Sequence, residues 1–70
     1  AVLRAARLHR GRLIDARLEE ADLTEADLSS ANFLASRCAG ACFRAANLGR
    51  ASLEEADLTG ANLRGAVLHL

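Results

Sequence analysis

Large apolar residues recur along this chain every fifth position. They fall at Leu3, Leu8, Leu13, Leu18, Leu23 and Leu28, then at Phe33, Cys38 and Phe43, and resume at Leu48 through Leu68. The residue two places before each is Ala, apart from Gly11 and Ser36, which are also small. The clearest stretch is Ala21-Asp22-Leu23-Thr24-Glu25 followed by Ala26-Asp27-Leu28-Ser29-Ser30. The unit reads small, polar, large apolar, then two variable polar positions, and fourteen units follow one another without a slip. An internal repeat of this kind decides the fold before any local reading does.

A period of five suits neither common element. On a helix, five residues advance about 500°, so the leucines wind around the cylinder and leave no apolar stripe. On a straight strand, an odd period sends successive leucines to opposite faces. A chain that turns a corner every five residues avoids both problems. Ala and Leu of each unit then point to a common axis, and the other three positions point outward.

Periodicity alone does not set the number of sides. The units Ala21-Asp22-Leu23, Ala26-Asp27-Leu28, Ala31-Asn32-Phe33, Ala46-Asn47-Leu48, Ala56-Asp57-Leu58 and Ala61-Asn62-Leu63 resemble the pentapeptide-repeat family, whose consensus is A-(D/N)-L-X-X. The resemblance runs over all 70 residues. It implies an all-β fold: a right-handed quadrilateral parallel β-helix with four units per coil, hence about 3.5 coils in a single solenoid spanning residues 1–70. At the strand spacing of about 4.8 Å such a stack is roughly 17 Å tall, with residues i and i+20 one above another.

Composition fits a narrow interior. There is no Pro, Trp, Tyr or Met and only two Phe. Phe33 and Phe43 flank Cys38, so their extra volume offsets its small size, and Cys38→Leu is expected to be tolerated. Gly40 and Gly60 share one corner a coil apart, where glycine permits positive φ. At the twenty-residue spacing Arg7 stacks near Asp27 and Arg37 near Asp57.

Formal charge is zero, with nine Arg and nine acids, which argues against a direct nucleic-acid binder. No apolar run approaches the roughly 20 residues of a membrane span. Catalytic, cofactor-binding and metal-binding residues are expected to be none. Cys38 points in and Cys42 out, so they make no disulfide, and Arg44 is the neighbour able to lower the Cys42 pKa. His9 and His69 share a column but lie three coils apart, too far for one zinc. No nucleophile–base–acid motif is present.

The candidate interaction patch is Ile14, Leu34, Val67 and Leu70. Ile14 and Leu34 occupy normally polar slots one coil apart, and Val67 and Leu70 replace polar residues near the end of the chain. Uncapped solenoid ends also favour association. The expectation is a non-catalytic scaffold, cut from a larger bacterial cytoplasmic protein, that meets a protein partner or a second copy of itself. The family resemblance implies an alternative: a duplex-DNA mimic binding gyrase, in quinolone resistance or toxin immunity. The interspersed Arg residues and the short rod weigh against it.

Overall fold

The computed structural model describes residues 2–69, so the Leu70 part of the patch lies outside the described residues. The chain turns a corner after every fifth residue and returns above its starting point after twenty. Parallel bridges join Val2 to Asp22, Asp22 to Cys42 and Cys42 to Asn62 on the first side. Corresponding bridges run up the second, third and fourth sides, for example Arg7 to Asp27, Arg12 to Asn32 and Arg17 to Arg37. Among the described residues coil one is therefore 2–20, coil two 21–40, coil three 41–60 and the final half coil 61–69. The Cα atoms span 21 × 21 × 17 Å, in line with the height given by strand spacing.

Within each unit the backbone has fixed duties. The apolar and fifth positions donate upward, as in Leu23 N to Cys42 O (2.7 Å) and Glu25 N to Arg44 O (2.9 Å). The polar slot donates downward, as in Cys42 N to Ala21 O (2.8 Å). The small residue closes the corner behind it, as in Ala26 N to Leu23 O (3.0 Å). That last bond defines a four-residue turn whose third residue has positive φ, the signature of a type II turn.

Positive φ is not confined to glycine. Ala5, Arg10, Asp15, Glu20, Glu25, Ser30 and further fifth-position residues sit between 57° and 61°, beside Gly40, Gly60 and Gly65 at 68–70°. L-residues visit this region at a cost, so the ladder and the core hold the corners in place. Gly40 and Gly60 lie at the corner, as expected, but the corner conformation belongs to the fold and not to those two residues.

The interior is a stack of Leu and Ala. Leu23, Leu28, Phe33, Cys38, Phe43 and Leu48 are fully buried, Leu18 is buried beside them, and Leu3, Leu8, Leu13, Leu53, Leu58 and Leu63 pack partly buried against them. The Phe33 and Phe43 rings meet edge to face, 6.1 Å apart at 82°. Such a pair adds about 0.5–1.5 kcal/mol beyond its area. Ser36, also buried, places its Oγ 3.4 Å from Cys38 Sγ. The two departures from the repeat thus fall in one unit and satisfy each other. This changes the expectation for Cys38→Leu: the larger side chain removes the partner of a buried hydroxyl.

Candidate interaction surface

The polar slot does its work at the corner. The N–H of the fourth position points away from the ladder, and the Asp or Asn two residues earlier accepts it. Asp22 Oδ1 takes Thr24 N, Asp27 takes Ser29 N, and Asn32 takes Leu34 N, at 3.0–3.1 Å. Asn47, Asp57 and Asn62 repeat the contact with Gly49, Thr59 and Arg64. These are Asx turns, in which a short side chain stands in for a backbone acceptor. Hydroxyls of Thr24, Ser29 and Thr59 donate to the same carboxylates at 2.6–2.7 Å. Those hydroxyl bonds, then the backbone N–H bonds, hold the Asp22, Asp27 and Asp57 carboxyls below the ordinary range.

The stacked charges behave less simply than their twenty-residue spacing suggests. Among the described residues the ion pair within reach is Arg4 to Asp22, Nε to Oδ2 at 3.7 Å. Asp27 and Asp57 instead direct Oδ1 to the hydroxyls beside them. Arg7 and Arg37 act on them only through the weaker charge–charge attraction.

His9, Ser29 and Asp27 form a chain of contacts that invites a catalytic reading. His9 Nδ1 lies 2.6 Å from Ser29 Oγ, and Ser29 Oγ donates to Asp27 Oδ1 at 2.7 Å. The serine proton is thus committed to the carboxylate, and His9 Nδ1–H is the donor to the serine. A hydrolytic triad needs the reverse: imidazole accepting from serine and carboxylate orienting imidazole. Cys42 occupies a polar slot. Thr24 Oγ1 at 3.4 Å, then the Arg44 N–H, lower its thiol pKa, while burial raises that of Cys38. The Thr24 hydroxyl, one coil below, leads here, ahead of the Arg44 charge. Among the described residues no group of three His, Cys, Asp or Glu is placed to hold a metal. Among the described residues no helix is long and apolar enough to cross a membrane.

The patch residues separate. Ile14 is 46% exposed and stands below the half-buried Leu34 on the third side. Val67, 44% exposed, lies on the second side in the final half coil, so it forms no common patch with them. It lines a shallow groove with His9, Ser29, Ser30, Asn47, Gly49, Arg50 and His69. The groove exists because Gly49 places no side chain between Ser29 below and His69 above.

Sorting the outward residues by side reveals a charge pattern that composition conceals. Side one carries Arg4, Arg44 and Arg64 against Asp22 and Glu25, and side two carries Arg7, Arg10 and Arg50 against Asp27. Side three carries Arg12 against Asp15, Glu54 and Glu55, and side four carries Arg17 and Arg37 against Glu19, Glu20 and Asp57. The formal zero is therefore +3 on sides one and two and −3 on sides three and four. Sequence reasoning missed this; writing the chain in rows of twenty displays it.

Known proteins place this architecture. A crystal structure of the pentapeptide-repeat protein Rfr23 from the cyanobacterium Cyanothece 51142 superimposes with a TM-score of 0.73 at 30% identity, covering 94% of this chain and 49% of that one. HetL, a pentapeptide-repeat protein involved in heterocyst differentiation regulation from the cyanobacterium Nostoc sp. strain PCC 7120, superimposes at 0.53 with 23% identity, covering 97% of this chain and 62% of that one. The chain thus spans about half to three-fifths of the length of these structures. None of the curated proteins matches. The fold is the right-handed quadrilateral β-helix of these neighbours. The profile for pentapeptide repeats matches eight copies over residues 1–33 and 36–69, and the chain belongs to the pentapeptide-repeat family.

Proposed function

We propose that the protein is a non-catalytic scaffold that offers fixed columns of side chains to a protein partner. The observation that supports this best is the column order itself. Each outward residue rides on a bridge to the residue twenty places on, so its lateral position is set by the ladder. A partner meets a pre-organised surface, which lowers the ordering cost of binding. The direction of the Ser29 proton, toward Asp27, agrees with a surface that does no hydrolysis.

The test is photo-crosslinking from one side at a time in the native cell. Probes at Ile14 and Leu34 report side three, at Arg37 side four, and at Arg44 and Arg50 sides one and two. A scaffold gives adducts restricted to particular sides. Adducts from no side, or turnover by the purified protein, reject the reading.

Self-association is a second arm. The backbone N–H groups of Phe33, Cys38 and Phe43 donate to the coil above, whereas those of Leu53, Leu58 and Leu63 find no acceptor among the described residues. An added coil, from further residues of the same protein or from another copy, would supply one. Light scattering at several concentrations tests this; a folded chain that stays monomeric removes this arm. Gyrase binding by duplex mimicry has less support. A duplex segment 17 Å long carries about ten charges, whereas the acidic sides sum to −3. Inhibition in a gyrase supercoiling assay would reverse that order.

A further inference from the structure

We propose that sides one and two dock a carboxylate-rich segment of a partner protein, centred on the groove beside Gly49. The proposal rests on the scaffold reading and names the chemistry of its partner.

Three observations lead here. The first is the segregation of charge, +3 on these sides against −3 behind them. Net zero keeps long-range attraction to polyanions low, while the local field on one half favours acids.

The second is an uncompensated stack. Arg44 and Arg64 occupy the same column one coil apart, about 4.8 Å by strand spacing. Among the described residues neither has an ion-pair partner, and Arg50 at the next corner has none either. Like charges directly opposite are destabilising on a sheet. Side four also stacks two arginines, Arg17 beneath Arg37, but Asp57 stands directly above that pair, whereas the column of Arg4, Thr24, Arg44 and Arg64 holds no acid. A carboxylate from outside would relieve the Arg44–Arg64 stack and hydrogen-bond both guanidiniums.

The third is the shape of the recess. Its lining joins Arg50 with side chains able to donate from Ser30, Asn47 and His69, and the missing side chain at Gly49 gives an acidic side chain room to enter. A protein segment suits this surface better than nucleic acid. The basic half is only about 17 Å tall and its charge is small, whereas nucleic-acid affinity comes from many phosphate contacts along a basic face.

The experiment is an amide NMR titration of the isotopically labelled protein at low salt with an acetylated hexaglutamate peptide. A hexaglutamine peptide and a short DNA duplex serve as comparison ligands. Saturable shifts are expected at Gly49, Arg50, Arg64 and His69, with the Ile14 and Leu34 amides unmoved. Arg44→Gln, Arg50→Gln and Arg64→Gln combined should weaken binding by about tenfold or more. Arg37→Gln should leave it unchanged. Gly49→Gln fills the recess without changing charge and should also weaken binding; a Cβ there meets only Asn47 Oδ1, at 3.1 Å. Circular dichroism checks that each variant is folded. Absence of saturable shifts, equal binding of hexaglutamine, equal binding by the triple variant, or tighter binding of the duplex would each overturn the proposal. If crosslinks gather on sides three and four while the peptide moves nothing, this proposal falls and the scaffold reading stands.

Discussion

Coil one and coil two follow the same backbone path with different residues in the polar slot. Coil two places Asp22, Asp27 and Asn32 there, and each accepts the N–H two residues on. Coil one places Arg7, Arg12 and Arg17 there, which carry donors only. Among the described residues the N–H groups of His9, Ile14 and Glu19 meet no protein acceptor. The interiors differ in step: Leu23, Leu28 and Phe33 are fully buried, while Leu3, Leu8 and Leu13 are half-buried. Both coils nevertheless keep the same corners and bridges. The apolar period therefore shapes the coil, and the Asp or Asn of the consensus tightens its turns.

The largest expected contrast is in the core. Leu28→Ala removes a fully buried side chain with coils above and below, at an expected cost of about 2–5 kcal/mol. Leu8→Ala, in the same column one coil lower, should cost much less, since Leu8 is already partly in solvent. Urea unfolding of the pair measures the difference, and equal costs would show that coil one is as well packed as coil two.

Next comes Cys38→Leu, also in coil two. It takes the Sγ partner from Ser36, and an unsatisfied buried hydroxyl costs about 1–3 kcal/mol. Adding Ser36→Ala should recover most of that loss. Recovery would separate the lost contact from overpacking against Phe33 and Phe43.

Slot exchange is smaller. Asn32→Ala should cost roughly 0.5–1.5 kcal/mol, and Arg12→Asn, one coil below, should return a similar amount. A chain indifferent to both would mean that water serves these N–H groups as well as the side chain does. At the corners the two coils should agree. Ala5→Gly and Ala35→Gly replace residues held at φ 57° and 58°. Relief of the left-handed cost, less the added entropy of glycine, leaves a gain of about half a kcal/mol at either site.

Acid supplies the mildest probe. The folded-state pKa values of Asp22, Asp27 and Asp57 lie below the usual 3.8, so their contribution is present above that pH. It is lost as pH falls through the lowered values. Asp→Asn at all three positions keeps the Asx acceptor and removes the titration. The variant should lose less of its urea midpoint between pH 5 and pH 3 than the unsubstituted chain does. Coil one has no acid in its slots and so lacks these Asx carboxylates.

Much of this architecture could be read from residues. The five-residue spacing of Leu, with Ala two places before, was enough to put both inside; the buried Leu23, Leu28 and Leu48 bear that out. Four sides per coil came from the likeness to A-(D/N)-L-X-X and not from spacing. The left-handed corners at Glu20, Glu25 and Ser30 were hidden, because none of these residues advertises positive φ as glycine does. The Ser36–Cys38 contact was hidden in a different way: each looks like an isolated lapse, although the small and large positions of one unit both face the interior and so lie side by side. The surface was the least legible part. Ile14 and Leu34 stack as their spacing requires, but Val67 belongs to another side, and the groove needs an absence at Gly49 that no residue type announces.

The twenty-residue bridge spacing constrains how such a chain can grow. Inserting one five-residue unit would preserve the interior and every corner, yet it would rotate everything downstream by a quarter turn. Inserted ahead of Arg50, it would move Arg50 from side two to side three, out of the basic half, and Arg64 from side one to side two; Glu54 and Glu55 would shift to side four, and the groove would be dismantled without any loss of fold. Duplication in steps of five conserves the rod, and only duplication in steps of twenty conserves what is written on its sides.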